Sequence, residues 1–236
     1  MLSSFSVVIP AFNEASRIGQ TVHATLDYLQ EVNPKNELIV VNDGSTDATG
    51  TIAREVLSGA KIPARLLEDF PNRGKGAAVR TGLLAAQRAI GLFFDADLST
   101  PLEETPKVID AIASGKFDIA FGSRSLDRSL IGHHQPWGRE QGGRVFNLLV
   151  RVATGLPFWD TQCGFKAFRL DVCRPILEAA RIDGFAFDVE LLYLAQRAGL
   201  RLCEIPVRWN HHEGSKVQIV RDSLRMLREV IALRCL

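Results

Sequence analysis

The run Ile90-Gly-Leu-Phe-Phe-Asp-Ala-Asp-Leu-Ser99 (IGLFFDADLS) decides the fold, because a short apolar run stops abruptly on two carboxylates spaced one residue apart. An apolar run of this length, bounded by turn residues, reads as a strand buried on both faces. Asp95 and Asp97 then stand where the chain leaves the sheet. Two carboxylates at such a turn can reach a hard divalent cation carrying a diphosphate, since Mg²⁺ or Mn²⁺ favours oxygen ligands and leaves positions open for phosphate. A plain turn whose aspartate caps a helix fits the same spacing.

Working outward, similar runs at 5–10, 37–41, 64–68, 91–95 and 117–122 predict five strands, and helix-length amphipathic segments separate them. Ile18, Val22, Leu26 and Leu29, for example, form one stripe of a helix over about 15–32. Asp47 is expected to cap a second helix ending near Gly59; a third follows Gly74, and a fourth starts around Pro101. This alternation predicts an α/β fold with a mainly parallel sheet and helices on both faces. After residue 125 the rhythm changes to a Gly-, His- and Pro-rich loop at 132–143, a helix over 145–152, a strand at 164–169, helices over 171–180 and 188–198, and a strand at 201–209. No linker separates two domains, so a single domain over 1–236 is expected. It comprises a first half (1–125), an acceptor-side extension of the same sheet (126–215) and a terminal amphipathic helix (216–236).

Composition bounds the function. The chain has 236 residues, 28 Lys+Arg against 27 Asp+Glu, a net charge of +1 and 46% hydrophobic residues. That length buries a core without staples. Near-neutral charge argues against a nucleic-acid partner, whose phosphates demand a basic field. Cys163, Cys173, Cys203 and Cys235 show no CxxC pairing, which fits neither a zinc site nor a disulfide framework and makes a reducing, cytoplasmic compartment the expectation. The opening MLSSFSVVIPAFNE does not read as a secretory signal, and no uncharged apolar run is long enough to span a membrane.

In open parallel sheets ligands bind at the carboxyl ends of strands. Four polar clusters fall there: Asn13-Glu14, Asn42-Asp43-Gly44-Ser45, Asp95 with Asp97, and Ser123-Arg124. Asp43 in VNDGSTD is either an Asp-Gly turn residue or an acceptor for a base N–H. RGKGAAVRTG at 73–82 puts glycines and Lys75 at a helix start, where backbone N–H groups and the positive dipole end welcome phosphate.

Together PAFNE, VNDGSTD, RGKGAAVRTG, DADLS and GSR resemble the nucleotide-sugar half of family 2 glycosyltransferases with the GT-A fold. DTQCGFKAF (160–168), FAFDVELLYLAQ (185–196) and EIPVRWNHHEGSK (204–216) resemble the polyprenyl-phosphate members, most closely the dolichyl-phosphate β-glucosyltransferase type. The resemblance implies a donor site made of Pro10, Ala11, Asn13, Glu14, Asp43, Lys75, Asp95 and Ala96, with Asp43 on uracil. It implies a metal, Mg²⁺ or Mn²⁺, at Asp95 and Asp97, with Asp97 the direct ligand. Related synthases carry an amide where this chain has Ser99, and a serine where it has Gly143.

A lipid phosphate is already an anion, so its oxygen can attack an anomeric carbon without a side-chain base. Such a site needs cations. Ser123, Arg124, Arg139, Lys166 and Lys216 are the candidates for the acceptor phosphate, and arginine forks match phosphate oxygens. Asp188 is a helix N-cap, or, for a hydroxyl acceptor, the base. The catalytic set is therefore Asp97, Arg124, Arg139, Lys166 and Asp188. The reaction implied is inverting transfer of a hexose, glucose from UDP-glucose, onto a polyprenyl phosphate; GDP-mannose, or a hydroxyl acceptor, is the alternative. The histidine pairs 133–134 and 211–212 read as loop residues rather than ligands. Between Val217 and Leu236, Val220, Leu224, Leu227 and Ile231 share a helical face with arginines around them, which suits docking on a membrane surface from the inner, cytoplasmic side.

Overall fold

Alternation along each strand decides which side chains meet which helices. The computed structural model describes residues 2–133, 137–211 and 219–233, with side chains throughout except at 137, 139 and 219–222. The five expected strands are β1 (Phe5–Ala11), β2 (Glu37–Asp43), β3 (Ala64–Asp69), β4 (Ile90–Phe94) and β5 (Ile119–Ser123). With β7 (Phe165–Arg169) and β8 (Leu202–Pro206) they form a seven-stranded sheet in the order β3-β2-β1-β4-β7-β5-β8. All neighbours are parallel except β7, which runs antiparallel to β4 and β5. The reason is where the chain travels: residues 124–164 leave and rejoin the sheet at its carboxyl edge, so Phe165 pairs with Phe94, the last residue of β4, and β7 must run back. Its antiparallel entry brings the 160–164 loop over the same edge as the carboxylates.

The helices are α1 (Ile18–Val32), α2 (Thr49–Ser58), α3 (Lys75–Ala85), α4 (Thr105–Ala113), α5 (Trp137–Thr154), α6 (Leu170–Ala179), α7 (Phe187–Arg197) and α8 (Ile219–Ala232). Odd and even strand positions serve two cores. Val8, Ile39, Val41, Phe93, Phe121 and Phe168 face one cluster, shared with α3 and α5 to α8. Val7, Ile9, Leu38, Val40, Phe94 and Phe165 face the other, shared with Ile18, Val22, Leu26 and Leu29 of α1 and with α2 and α4.

Two expectations are corrected. The segment 132–143 is not one loop: a short strand, β6 (Ile131–His133), pairs with β9 (Trp209–Asn210), and α5 begins at Trp137 rather than near 145. Pro101 precedes a single 3₁₀ turn at Leu102–Glu104, and α4 starts after it. In α8 Met226, Leu227 and Val230 face the core, with buried Leu233 just beyond its end. The helix thus packs on its own protein through these residues and leaves Leu224 and Ile231 of the expected stripe exposed. Among the described residues no helix is long and apolar enough to cross a membrane.

Candidate functional site

Asp95 and Asp97 stand directly after β4, and the backbone is bent sharply there, with Leu98 at φ 50°. Asp97 Oδ1 accepts from the Ser99 N–H at 2.9 Å, and Ser99 O accepts from the Asn210 N–H at 2.8 Å. The carboxylate turn is thus tied to β9. Asp95 Oδ1 lies 2.5 Å from Lys75 Nζ at the start of α3. Its other oxygen lies against Gly164, where a Cβ would stand 2.1 Å away, so DTQCG needs a glycine at its fifth position to let the two strand ends meet. Phe94, Asp95, Asp97, Ser99, Gly164 and Trp209 bound a small pocket of about 10 Å³. Burial opposes the Lys75 charge, but Asp95 and Asp188 outweigh it and hold the ammonium above its ordinary pKa.

Lys166 and Asp188 lie in the floor beneath. Lys166 has no solvent exposure; its ammonium donates to Cys163 O at 2.6 Å and lies 2.6 Å from Asp188 Oδ1. It does not present its charge to a ligand, because β7 points it into the core. Asp188 is not an N-cap: Ala186 holds that position, and Asp188 sits in the first turn of α7, 3% exposed. Burial raises its carboxyl above the usual range, against the pull of Lys166 and Lys75. Cys163 beside them is a buried thiol pushed up to about 12, which excludes thiolate chemistry there.

The first-half motifs hold one another. The Asn13 N–H donates to Ser45 Oγ at 2.9 Å, the Thr46 N–H to Asn13 Oδ1 at 2.8 Å, and the Glu14 N–H to Thr49 Oγ1 at 2.7 Å. Pro10 and Ala11 are buried at the end of β1, and Ala96 is buried with its carbonyl accepting from Thr21 Oγ1. Two of these groups are already engaged within the chain. Asp43 is 2% exposed, and its carboxylate accepts from Asn72 Nδ2 and from the Arg73 and Gly74 N–H groups at 2.7 to 2.9 Å. It brackets the loop into α3. The α3 N–H groups of Gly76 and Ala77 donate to Asp183 O, so the α3 N-terminus is closed by the loop before α7 rather than open to phosphate.

On the other side of Trp209 lies a second pocket of about 90 Å³, lined among others by Arg124, Arg128, Gly143, Arg144, Asp160 and Trp209. Arg124 forks onto Asp160 with two bonds of 2.7 Å, and its guanidinium lies 5.5 Å from the Trp209 ring centroid. Burial alone would raise the Asp160 carboxyl, but Arg124 holds it below the usual range. Arg128 lies 2.5 Å from Glu140. Ser123 is buried and donates to Glu204 Oε1 at 2.7 Å, so it braces the pocket rather than lining it. Arg139 belongs to α5, with its side chain outside the described set, and Lys216 lies outside the described residues. Arg128 and Arg144 were not singled out from sequence. Both lie near the expected arginines, but only the start of α5 at 137 turns them toward one pocket.

This architecture, a Rossmann-like half with paired carboxylates at a strand end and a basic pocket beside them, defines an α/β group-transfer enzyme of the nucleotide-sugar class. The glycosyl transferase family 2 model matches residues 6–177, and the chain belongs to that family. It is 33% identical to a dolichyl-phosphate β-glucosyltransferase of Dictyostelium discoideum and 33% identical to one of Saccharomyces cerevisiae, in each case over 97% of this chain and 73% of the relative. Among solved structures, glucosyl-3-phosphoglycerate synthase of Mycobacterium tuberculosis in complex with uridine diphosphate superposes with a TM-score of 0.69 at 24% identity, over 99% of this chain and 80% of that one. The same synthase has also been solved with Mn²⁺, uridine diphosphate and its product. At that identity the likeness shows the GT-A-like fold.

Proposed function

We propose that the chain transfers glucose from UDP-glucose to a polyprenyl phosphate with inversion, giving a β-linked lipid-phosphate sugar. One observation carries the reading: an acidic pocket at Asp95 and Asp97 and an arginine-lined pocket at Arg124, Arg128 and Arg144 share the Trp209 wall. The first has room for a single cation beside the diphosphate leaving group, and the second suits an anionic attacking group. The names of the relatives point to the same donor sugar and acceptor.

The residues fit a divalent ion. Asp97 and Asp95 are hard oxygen donors, and among the described residues no cluster of three His, Cys, Asp or Glu side chains would complete a closed site. An ion there would take its remaining ligands from water and the donor diphosphate. Asp95 has Lys75 on one oxygen and Gly164 against the other, whereas Asp97, among the described residues, carries a hydrogen bond on Oδ1 alone, so Asp97 would be the direct ligand. When bound, the ion supplies charge neutralisation for the departing uridine diphosphate. Lys75 orients Asp95 and adds positive charge beside the same phosphates. Arg124, fixed by Asp160 and Trp209, keeps the acceptor phosphate near the anomeric carbon. The acceptor oxygen forms the new C–O bond as the bond to the diphosphate breaks, and the electron pair leaves with uridine diphosphate. No proton has to be removed, which agrees with the burial of Asp188.

The test is incubation with UDP-glucose or GDP-mannose, Mg²⁺ or Mn²⁺, and a short polyprenyl phosphate in detergent, followed by mass spectrometry of the lipid. A hexose gain from UDP-glucose alone, lost on chelation and in Asp97→Ala, is expected. Transfer only from GDP-mannose, or no lipid product beside metal-dependent donor hydrolysis, would overturn the donor or the acceptor assignment respectively.

A further inference from the structure

On α5, Val145, Leu148, Leu149 and Val152 recur at intervals of three, one and three, which puts them on one stripe, and they are 59%, 57%, 42% and 68% exposed. The helix has already met its core requirement on another face, through buried Phe146 and Val150. Its third face, with Glu140, Gly143, Arg144 and Asn147, lines the arginine pocket. Arg144 lies on the edge of the pocket face nearest the stripe, and Arg151 occupies a position between the two. Beside the helix, Trp159 is 55% exposed and carries the Arg151 guanidinium 4.0 Å from its ring centroid.

We infer that this stripe of α5, with Trp159, is the face on which the protein lies on a lipid bilayer. Two observations choose a bilayer over a protein partner. An apolar strip edged by arginines and a half-exposed tryptophan matches the layering of a membrane interface, where chains, ring and phosphates follow in order of depth. The same helix walls the pocket, so a lipid phosphate at the bilayer surface lies within one helix width, about 10–12 Å, of the Arg124 guanidinium. The lipid tail then remains in the membrane while its phosphate enters. The inference rests on the lipid acceptor proposed above and places the main docking face on α5, whose four apolar residues and Trp159 are exposed, rather than on α8, which exposes Leu224 and Ile231.

The test is sedimentation of the full chain with vesicles of phosphatidylcholine and phosphatidylglycerol that contain no acceptor lipid. Wild type is expected to bind. L148E/V152E is expected to partition at least about tenfold more weakly, Trp159→Ala to weaken binding, and L224E/I231E on α8 to lose less. Circular dichroism and turnover on a short, water-soluble polyprenyl phosphate should be unchanged in L148E/V152E. Equal binding by wild type and L148E/V152E, no binding by wild type, or a larger loss in the α8 variant would overturn the inference. So would conversion of a dimer to a monomer in L148E/V152E with vesicle binding intact, which would make the stripe a contact between copies. Vesicle binding by a wild type that shows no turnover would break the acceptor reading and leave the docking face standing.

Discussion

An ammonium with no exposure persists only when its charge is answered, and Lys166 has two answers, the Cys163 carbonyl and Asp188. Through the first it pins the loop that carries Gly164 against Asp95; through the second it fixes the start of α7. Its partner then faces Lys75, so four alternating charges run from the core to the carboxylate pocket. Removing one member of a buried pair strands the other and costs about 3–5 kcal/mol. Lys166→Met is expected to lose stability of that order in urea unfolding, with turnover falling in parallel, and Asp188→Asn to lose less, because burial already favours the neutral form of that carboxyl. K166M/D188L should recover most of the stability. If Asp188 were a base, Asp188→Asn would instead lose about two to four orders of magnitude in rate with its unfolding midpoint unchanged.

At the scale of elements, α5 matters most and was least legible. Gly138, Gly142 and Gly143 weaken its local helix signal, each by about 1 kcal/mol relative to alanine, which is why 132–143 reads as a loop. Packing through Phe146 and Val150, and against α8, overrides that propensity. A Cβ at Gly143 would meet nothing within 4 Å. Gly143→Ser is therefore expected to stabilise the protein by a few tenths of a kcal/mol, and to lower KM for the acceptor by adding a hydroxyl to the arginine pocket. Thermal unfolding and acceptor titrations check both. The first half was readable because strand and helix periods change cleanly there and the polar clusters mark strand ends. IGLFFDADLS placed β4 and its carboxylates within a residue. What spacing could not reveal is which polar groups satisfy each other: Asp43 spends its carboxylate on the 72–74 loop, and Asp183 closes the α3 amides, because segments far apart in sequence meet there. Lys166 reads as a phosphate ligand because an anionic acceptor needs cations, but the register of β7 sets it opposite Phe93 and Phe121, whose side chains face the core.

Over the whole molecule, the acceptor-side half is held to the sheet by carboxylates whose charge depends on arginine. Asp160 is fixed by Arg124. The Arg201 hydrogen bonds, outweighing burial, hold Asp118 below the usual carboxylate range between β5, β7 and β8. Burial works against the Glu104 charge, yet Lys107 and Arg208 keep its carboxyl low and fasten the segment after β8 to α4. A carboxyl whose pKa is lower folded than unfolded stabilises the protein fully above its unfolded value, about 4, and loses that contribution as pH falls through the folded value. Asp188 has the opposite sign: its raised pKa favours the fold below about 4 and opposes it as pH rises through the folded value. The lowered carboxyls, these three among them, outnumber the one raised, so the urea midpoint should fall as pH drops below about 4. In Asp160→Asn the slope of stability against pH in that range should be shallower by up to about one proton. A pH series of urea titrations on wild type and Asp160→Asn reads both, and equal slopes would mean that the Arg124 fork does not link the arginine pocket to folding.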